Sequence, residues 1–158
     1  MTPRLFCPGP TPVKASTWRS MNDDTLYHRD SEFSQRLLSC QEQLKPIFGT
    51  TQTPLILTCS GTGAMEAAVT NLTSEGDSVV TVVGGKFGER WFNLCQAYGC
   101  QTHSFAIDWG TSPDIAELVQ RLEQTSAKTL FLQANETSAG VSYPVEQIAR
   151  AIRAHPKT

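Results

Sequence analysis

The chain has 158 residues, a formal net charge of −2 and 39% hydrophobic content, which suits one soluble globular unit better than two. Its charges are interspersed, so it has neither the basic stripe that nucleic acid requires nor the polybasic patch of a membrane-surface protein, and no apolar run approaches the roughly 20 residues of a membrane helix. Five scattered cysteines (Cys7, Cys40, Cys59, Cys95, Cys100) contain no C-x-x-C pair; they argue against a zinc or redox site and for reduced thiols in a cytosolic protein.

The N-terminus Met-Thr-Pro-Arg-Leu-Phe-Cys-Pro lacks a basic-then-apolar signal peptide, so the expected location is the cytoplasm. The sequons at Asn71-Leu-Thr73 and Asn135-Glu-Thr137 then carry no meaning. Closely spaced prolines in Cys7-Pro-Gly-Pro-Thr-Pro12 remove amide donors and fix φ, which predicts an extended arm. From Ser31, Phe33, Leu37, Leu44, Ile47 and Phe48 recur at helical spacing; Ser31 is the expected N-cap, Gly49 the stop and Pro46 a candidate kink.

Short apolar runs then alternate with amphipathic stretches. Leu55 to Cys59 reads as a buried strand, followed by a tight turn and a helix from Ala64 to Leu72. Ser78 to Val83 is a second strand with a helix from about Phe87 to Tyr98, and Thr102 to Ile107 a third. Ser112 as N-cap and Pro113 at the first helical position open a helix with Ile115, Leu118, Val119 and Leu122 on one face. Thr129 to Leu132 is the fourth strand, and Pro144 opens a last helix with Val145, Ile148, Ala149 and Ile152 inward. Successive strand-then-helix units with right-handed crossovers predict an α/β fold, a mainly parallel sheet with helices on both faces.

Ligands of such sheets collect at the carboxyl ends of the strands, which directs attention to Ser60-Gly-Thr-Gly-Ala64, Gly84-Gly-Lys-Phe-Gly88, Asp108-Trp-Gly110 and the turn Gln133 to Gly140. Ser60-Gly61-Thr62-Gly63 leads into a helix whose first amides are unpaired, so an anion fits there, with the Ser60 and Thr62 hydroxyls as further donors. A nucleotide P-loop needs Gly-Lys-Ser/Thr at the end of the turn, where this chain has Gly-Ala-Met. A dinucleotide site needs a third glycine at Glu66 and an acid closing the second strand, which ends Val83-Gly84-Gly85. Pyridoxal phosphate (PLP) remains. Phe87 is the candidate to stack on its ring, and Thr137 or Ser138 to reach its phenolic oxygen.

The ordered set Pro8-Gly-Pro-Thr-Pro12, His28-Arg29, Glu32-Phe33, Ser60-Gly-Thr-Gly-Ala-Met-Glu66, Gly84-Gly-Lys-Phe-Gly-Glu-Arg-Trp91, Asp108-Trp-Gly110 and Glu136-Thr-Ser-Ala-Gly-Val141 closely resembles class V aminotransferases, above all the alanine-glyoxylate and serine-glyoxylate branch. The resemblance implies PLP and fold type I, with small amino acids and 2-oxo acids as substrates and a homodimer as the assembly. It implies that Gly61, Thr62 and Gly63 hold the phosphate, that Gly9 and Pro10 line the substrate side, and that His28-Arg29 lie near the dimer interface. Residues 1–30 are then an extended N-terminal arm and 31–158 an incomplete large PLP-binding domain without the small C-terminal domain.

In the resembled family the aspartate on the ring nitrogen and the Schiff-base lysine lie downstream of the helix beginning here at Pro144. Lys14, Lys45, Lys86, Lys128 and Lys157 do not occupy that family position, so no catalytic residue is assigned, turnover by these 158 residues alone is not expected, and a truncated reading frame is the expectation. The competing reading is a non-catalytic binding or assembly remnant. Some members of the branch are labelled soluble hydrogenase subunits, but nothing in the sequence resembles nickel or iron ligation, and no metal site is predicted.

Overall fold

The computed structural model describes residues 4–22 and 25–154, and the chain divides into two compact units, Met1–Thr58 and Cys59–Thr158. In the first unit, α1 (Ala15–Met21) interrupts the arm that was expected to be extended throughout. The prolines that forbid a helix end at Pro12, and the seven residues of α1 contain neither Pro nor Gly. Helix α2 (Ser31–Phe48) is capped by Asp30 rather than by Ser31: its carboxylate accepts from the Glu32 amide at 2.9 Å. A carboxylate is purely an acceptor, whereas the Ser31 hydroxyl donates to the same carboxylate at 3.3 Å. Gly49 closes the helix at φ 59, as the sequence predicts, and Pro46 is accommodated inside its last turn.

Leu55 to Cys59 does not form the predicted buried strand. It pairs with no strand among the described residues, and Leu55, Ile56 and Leu57 are 82%, 51% and 48% exposed. An apolar run becomes a strand only when a neighbour supplies ladder partners, which the run itself does not encode.

The second unit is built on a parallel three-stranded sheet in the order β2-β1-β3, from β1 (Ser78–Val83), β2 (Gln101–Ala106) and β3 (Thr129–Phe131). Around it lie α3 (Gly61–Leu72), α4 (Lys86–Ala97), α5 (Ile115–Thr125) and α6 (Val145–Arg153), and a short antiparallel pair, β4 (Asn135–Glu136) with β5 (Val141–Ser142), was not predicted. Strand β1 is central and buried on both faces, which explains its unbroken Val-Val-Thr-Val-Val run. Alternation sends Val80 and Val82 into a core with Leu118 and Leu122 of α5 and Ile148 of α6, and Val79 into another with Val69 of α3, Cys95 of α4 and Phe131. Helices thus cover both faces, and each fully buried aliphatic side chain contributes about 1.5–3 kcal/mol.

Helix α5 begins two residues beyond the predicted Pro113. Its cap is Asp114, which accepts from the Glu117 amide at 2.9 Å, not Ser112. Pro144 likewise precedes α6 instead of opening it. All three parallel strands end at the same edge of the sheet. There Gly88 presses the start of α4 against β1, since a Cβ on it would lie 2.4 Å from the Val82 carbonyl oxygen. Among the described residues no helix is long and apolar enough to cross a membrane.

Candidate functional site

The first turn of α4, at the carboxyl end of β1, draws the turn between β4 and β5 onto itself. The Lys86 amide donates to Ser138 Oγ at 2.9 Å, and the Phe87 and Gly88 amides donate to the Glu136 carboxylate at 3.3 and 3.0 Å. Glu136 is fully buried. It also accepts from Gln133 Nε2 at 2.5 Å and from the Ser138 hydroxyl. Burying a carboxylate costs several kcal/mol unless donors meet it, and here helix amides, an amide side chain and a hydroxyl do so at the positive end of α4. Gly85 is required by this packing, because a Cβ there would sit 2.5 Å from Glu136 Cδ and Ser138 Oγ.

Glu136 stood within a motif the sequence singled out, but no role was assigned to it. Its contact with an amide 49 positions earlier has no local signature. The same network separates the two candidates for a ligand oxygen. Ser138 Oγ accepts from the Lys86 amide and gives its single proton to Glu136. Thr137 is exposed, and its hydroxyl bonds to none of the described residues. Tyr143 lies close by, within 2.5 Å of a Cβ placed on Gly84. Burial first, then the Glu136 charge, raise its phenol above the ordinary value, while Gln133 pulls the other way.

The predicted turn at Gly61 to Gly63 is itself the first turn of α3, which starts three residues before the expected Ala64. Ser60 is the N-cap without a side-chain cap bond, so the first amides keep their donors. A Cβ on Gly63 would meet Cys59 at 2.8 Å, whereas the corresponding space at Gly61 is open. Thr62 Oγ1 accepts from Arg90 Nη1 at 2.9 Å, and the Arg90 guanidinium carbon lies 5.0 Å from the Phe87 ring centroid. Arg90, also unassigned from the sequence, therefore joins the first turn of α3 to the start of α4.

The structure thus ties Ser138 to the start of α4, which carries Phe87, and ties Thr62 at the start of α3 to α4 through Arg90. Lys86 Nζ is paired with Glu89 at 2.7 Å and lies 5.7 Å from the Trp109 ring centroid. Lys45 is paired with Glu42, and Lys157 lies outside the described residues. Gly9, Pro10, His28 and Arg29 are exposed residues of the Met1–Thr58 unit.

The family described as aminotransferase class V matches residues 14–157. The chain belongs to the class V aminotransferases. This class V chain is 33% identical over 162 residues to serine–glyoxylate aminotransferase of Hyphomicrobium methylovorum, with 99% of the chain and 40% of that protein covered. It is 39% identical over 154 residues to a protein named soluble hydrogenase, small subunit, of a Synechococcus strain, covering 96% of the chain and 40% of that protein. Among solved structures, alanine–glyoxylate aminotransferase of a Nostoc species superimposes with a TM-score of 0.88 at 31% identity, over 94% of this chain and 40% of that one. The chain therefore spans about 40% of the length of these relatives. Its fold is that of fold type I, and the family is PLP-dependent, as the resemblance implied.

The residues present fit such a cofactor. First-turn amides beside the open space at Gly61 suit a phosphate, and the half-buried Phe87 ring offers an aromatic face.

Proposed function

We propose that this class V chain carries the cofactor-holding part of an aminotransferase that moves an amino group between a small amino acid, such as alanine or serine, and a 2-oxo acid, such as glyoxylate or pyruvate. The observation that supports the reading is that Arg90 donates to Thr62 in the first turn of α3 and lies over the Phe87 ring at the start of α4. The names of the serine–glyoxylate and alanine–glyoxylate relatives support the substrate class.

In this reading Ser60, Gly61, Thr62 and Gly63 hold the phosphate and Phe87 packs on the ring. The bound cofactor supplies an electron sink for the amino-acid carbon. Thr137, whose proton is uncommitted, donates to the phenolic oxygen, while Ser138 braces Glu136 and the α4 amides. Lys86 is paired with Glu89 and is given no proton-transfer role. We place it in the cytoplasm, where its five free thiols stay reduced, and as a homodimer, for which the exposed Ile47, Phe48 and Leu55 offer apolar surface.

Equilibrium dialysis of the chain against PLP tests the reading. Saturable binding at one site per chain is expected, weakened several-fold by Thr137→Val and unchanged within twofold by Lys86→Ala. Absence of saturable binding, or its loss on Lys86→Ala, overturns it.

A further inference from the structure

We propose that Arg90 is a positioning residue for the phosphate, acting through Thr62; the inference rests on the cofactor site of the preceding section and goes beyond it. Arg90 lies three positions after Phe87 on α4, a spacing that puts both side chains on one face and lets the guanidinium lie over the ring. From there Nη1 donates to Thr62 Oγ1 at 2.9 Å. Guanidinium has donors only, and a threonine hydroxyl has one proton and two lone pairs. Once Arg90 takes one of those lone pairs, the hydroxyl can meet Arg90 only as acceptor. Its proton goes to none of the described residues, so it points elsewhere, free to be donated to an anion at the α3 N-terminus.

The charge on Arg90 also polarises the hydroxyl and makes it a stronger donor. The ring beneath the guanidinium fixes the planar group, so one side chain sets the distance between the phosphate end and the aromatic end of the site. Lysine would keep the charge but not the planar group that lies over the ring while donating to Thr62.

The test uses the 158-residue chain and two probes without an aldehyde, pyridoxine 5′-phosphate and pyridoxine, with dissociation constants read by equilibrium dialysis. The wild type should bind the phosphorylated probe more tightly. Arg90→Met and Thr62→Val should each weaken it about tenfold, in line with one charge-assisted bond, and leave pyridoxine within twofold. The double variant should be no weaker than either single variant, because both remove one linked interaction. Arg90→Lys, which preserves the charge if the methionine variant does not fold, should still lose several-fold.

Losses that multiply in the double variant would show Arg90 acting on the anion independently of Thr62, and a lysine variant equal to the wild type would show that charge alone suffices. Either result overturns the inference and leaves the cofactor site standing. A wild type that does not distinguish the two probes overturns the phosphate site, and this inference with it.

Discussion

At Glu136 one side chain supports two features of the site. Its buried carboxylate meets the Phe87 and Gly88 amides and the Ser138 hydroxyl, so it fixes both the start of α4 and the turn carrying Thr137. Glu136→Gln puts an amide group against those donors. We expect a loss of about 1–3 kcal/mol in urea unfolding, the cost of leaving buried donors unmet; an unchanged midpoint would contradict the network. Cys95 gives a pH prediction. Burial pushes its thiol from 9.0 up to about 12, with Cys100 adding to the effect. Below 9.0 the thiol is neutral folded and unfolded, so this contribution to stability is fully present. As pH rises from 9.0 toward 12 only the unfolded chain ionises, and stability is lost. Cys95→Ala should flatten that decline in a urea-midpoint series over this range; an equally steep decline would place its origin elsewhere.

The helices illustrate what local sequence encodes and what it does not. The stop at Gly49 was legible because a left-handed residue after an apolar periodic run is nearly confined to glycine. The caps of α2 and α5 were displaced by one and two residues, because Ser31 and Ser112 are good caps in isolation while Asp30 and Asp114 stand nearer the amides actually left open. Asp114→Ala should therefore cost about 1 kcal/mol and Ser112→Ala less than about 0.5 kcal/mol in thermal unfolding; the reverse order would restore the sequence expectation. Strand β1 was legible from its unbroken Val-Val-Thr-Val-Val run, the mark of a strand buried on both faces. The run Leu55 to Cys59 shares its apolar character but not its neighbours, and composition alone does not distinguish them. The roles of Glu136 and Arg90 were hidden for a similar reason, since their partners lie far away in the chain.

At the scale of the molecule, the Cys59–Thr158 unit combines a parallel sheet, helices on both faces and the proposed site at the strand ends, in a class V chain spanning about 40% of the length of its relatives. The α/β class followed from the repeating order of strands and helices, and the turns worth attention followed from where such sheets bind ligands. The sequence did not show which side chains the turns would commit to each other. Ser138 and Thr137 looked equivalent until the Glu136 network took the serine proton. The central claim is that the start of α3, the start of α4 and the β4–β5 turn form one cofactor cup. Amide chemical-shift mapping of the 158-residue chain during titration with pyridoxine 5′-phosphate tests it most directly. Shifts concentrated at Gly61 to Ala64, at Lys86 and Phe87, and at Thr137 and Ser138 are predicted; shifts confined to any one of these segments, or lying outside all of them, would contradict it.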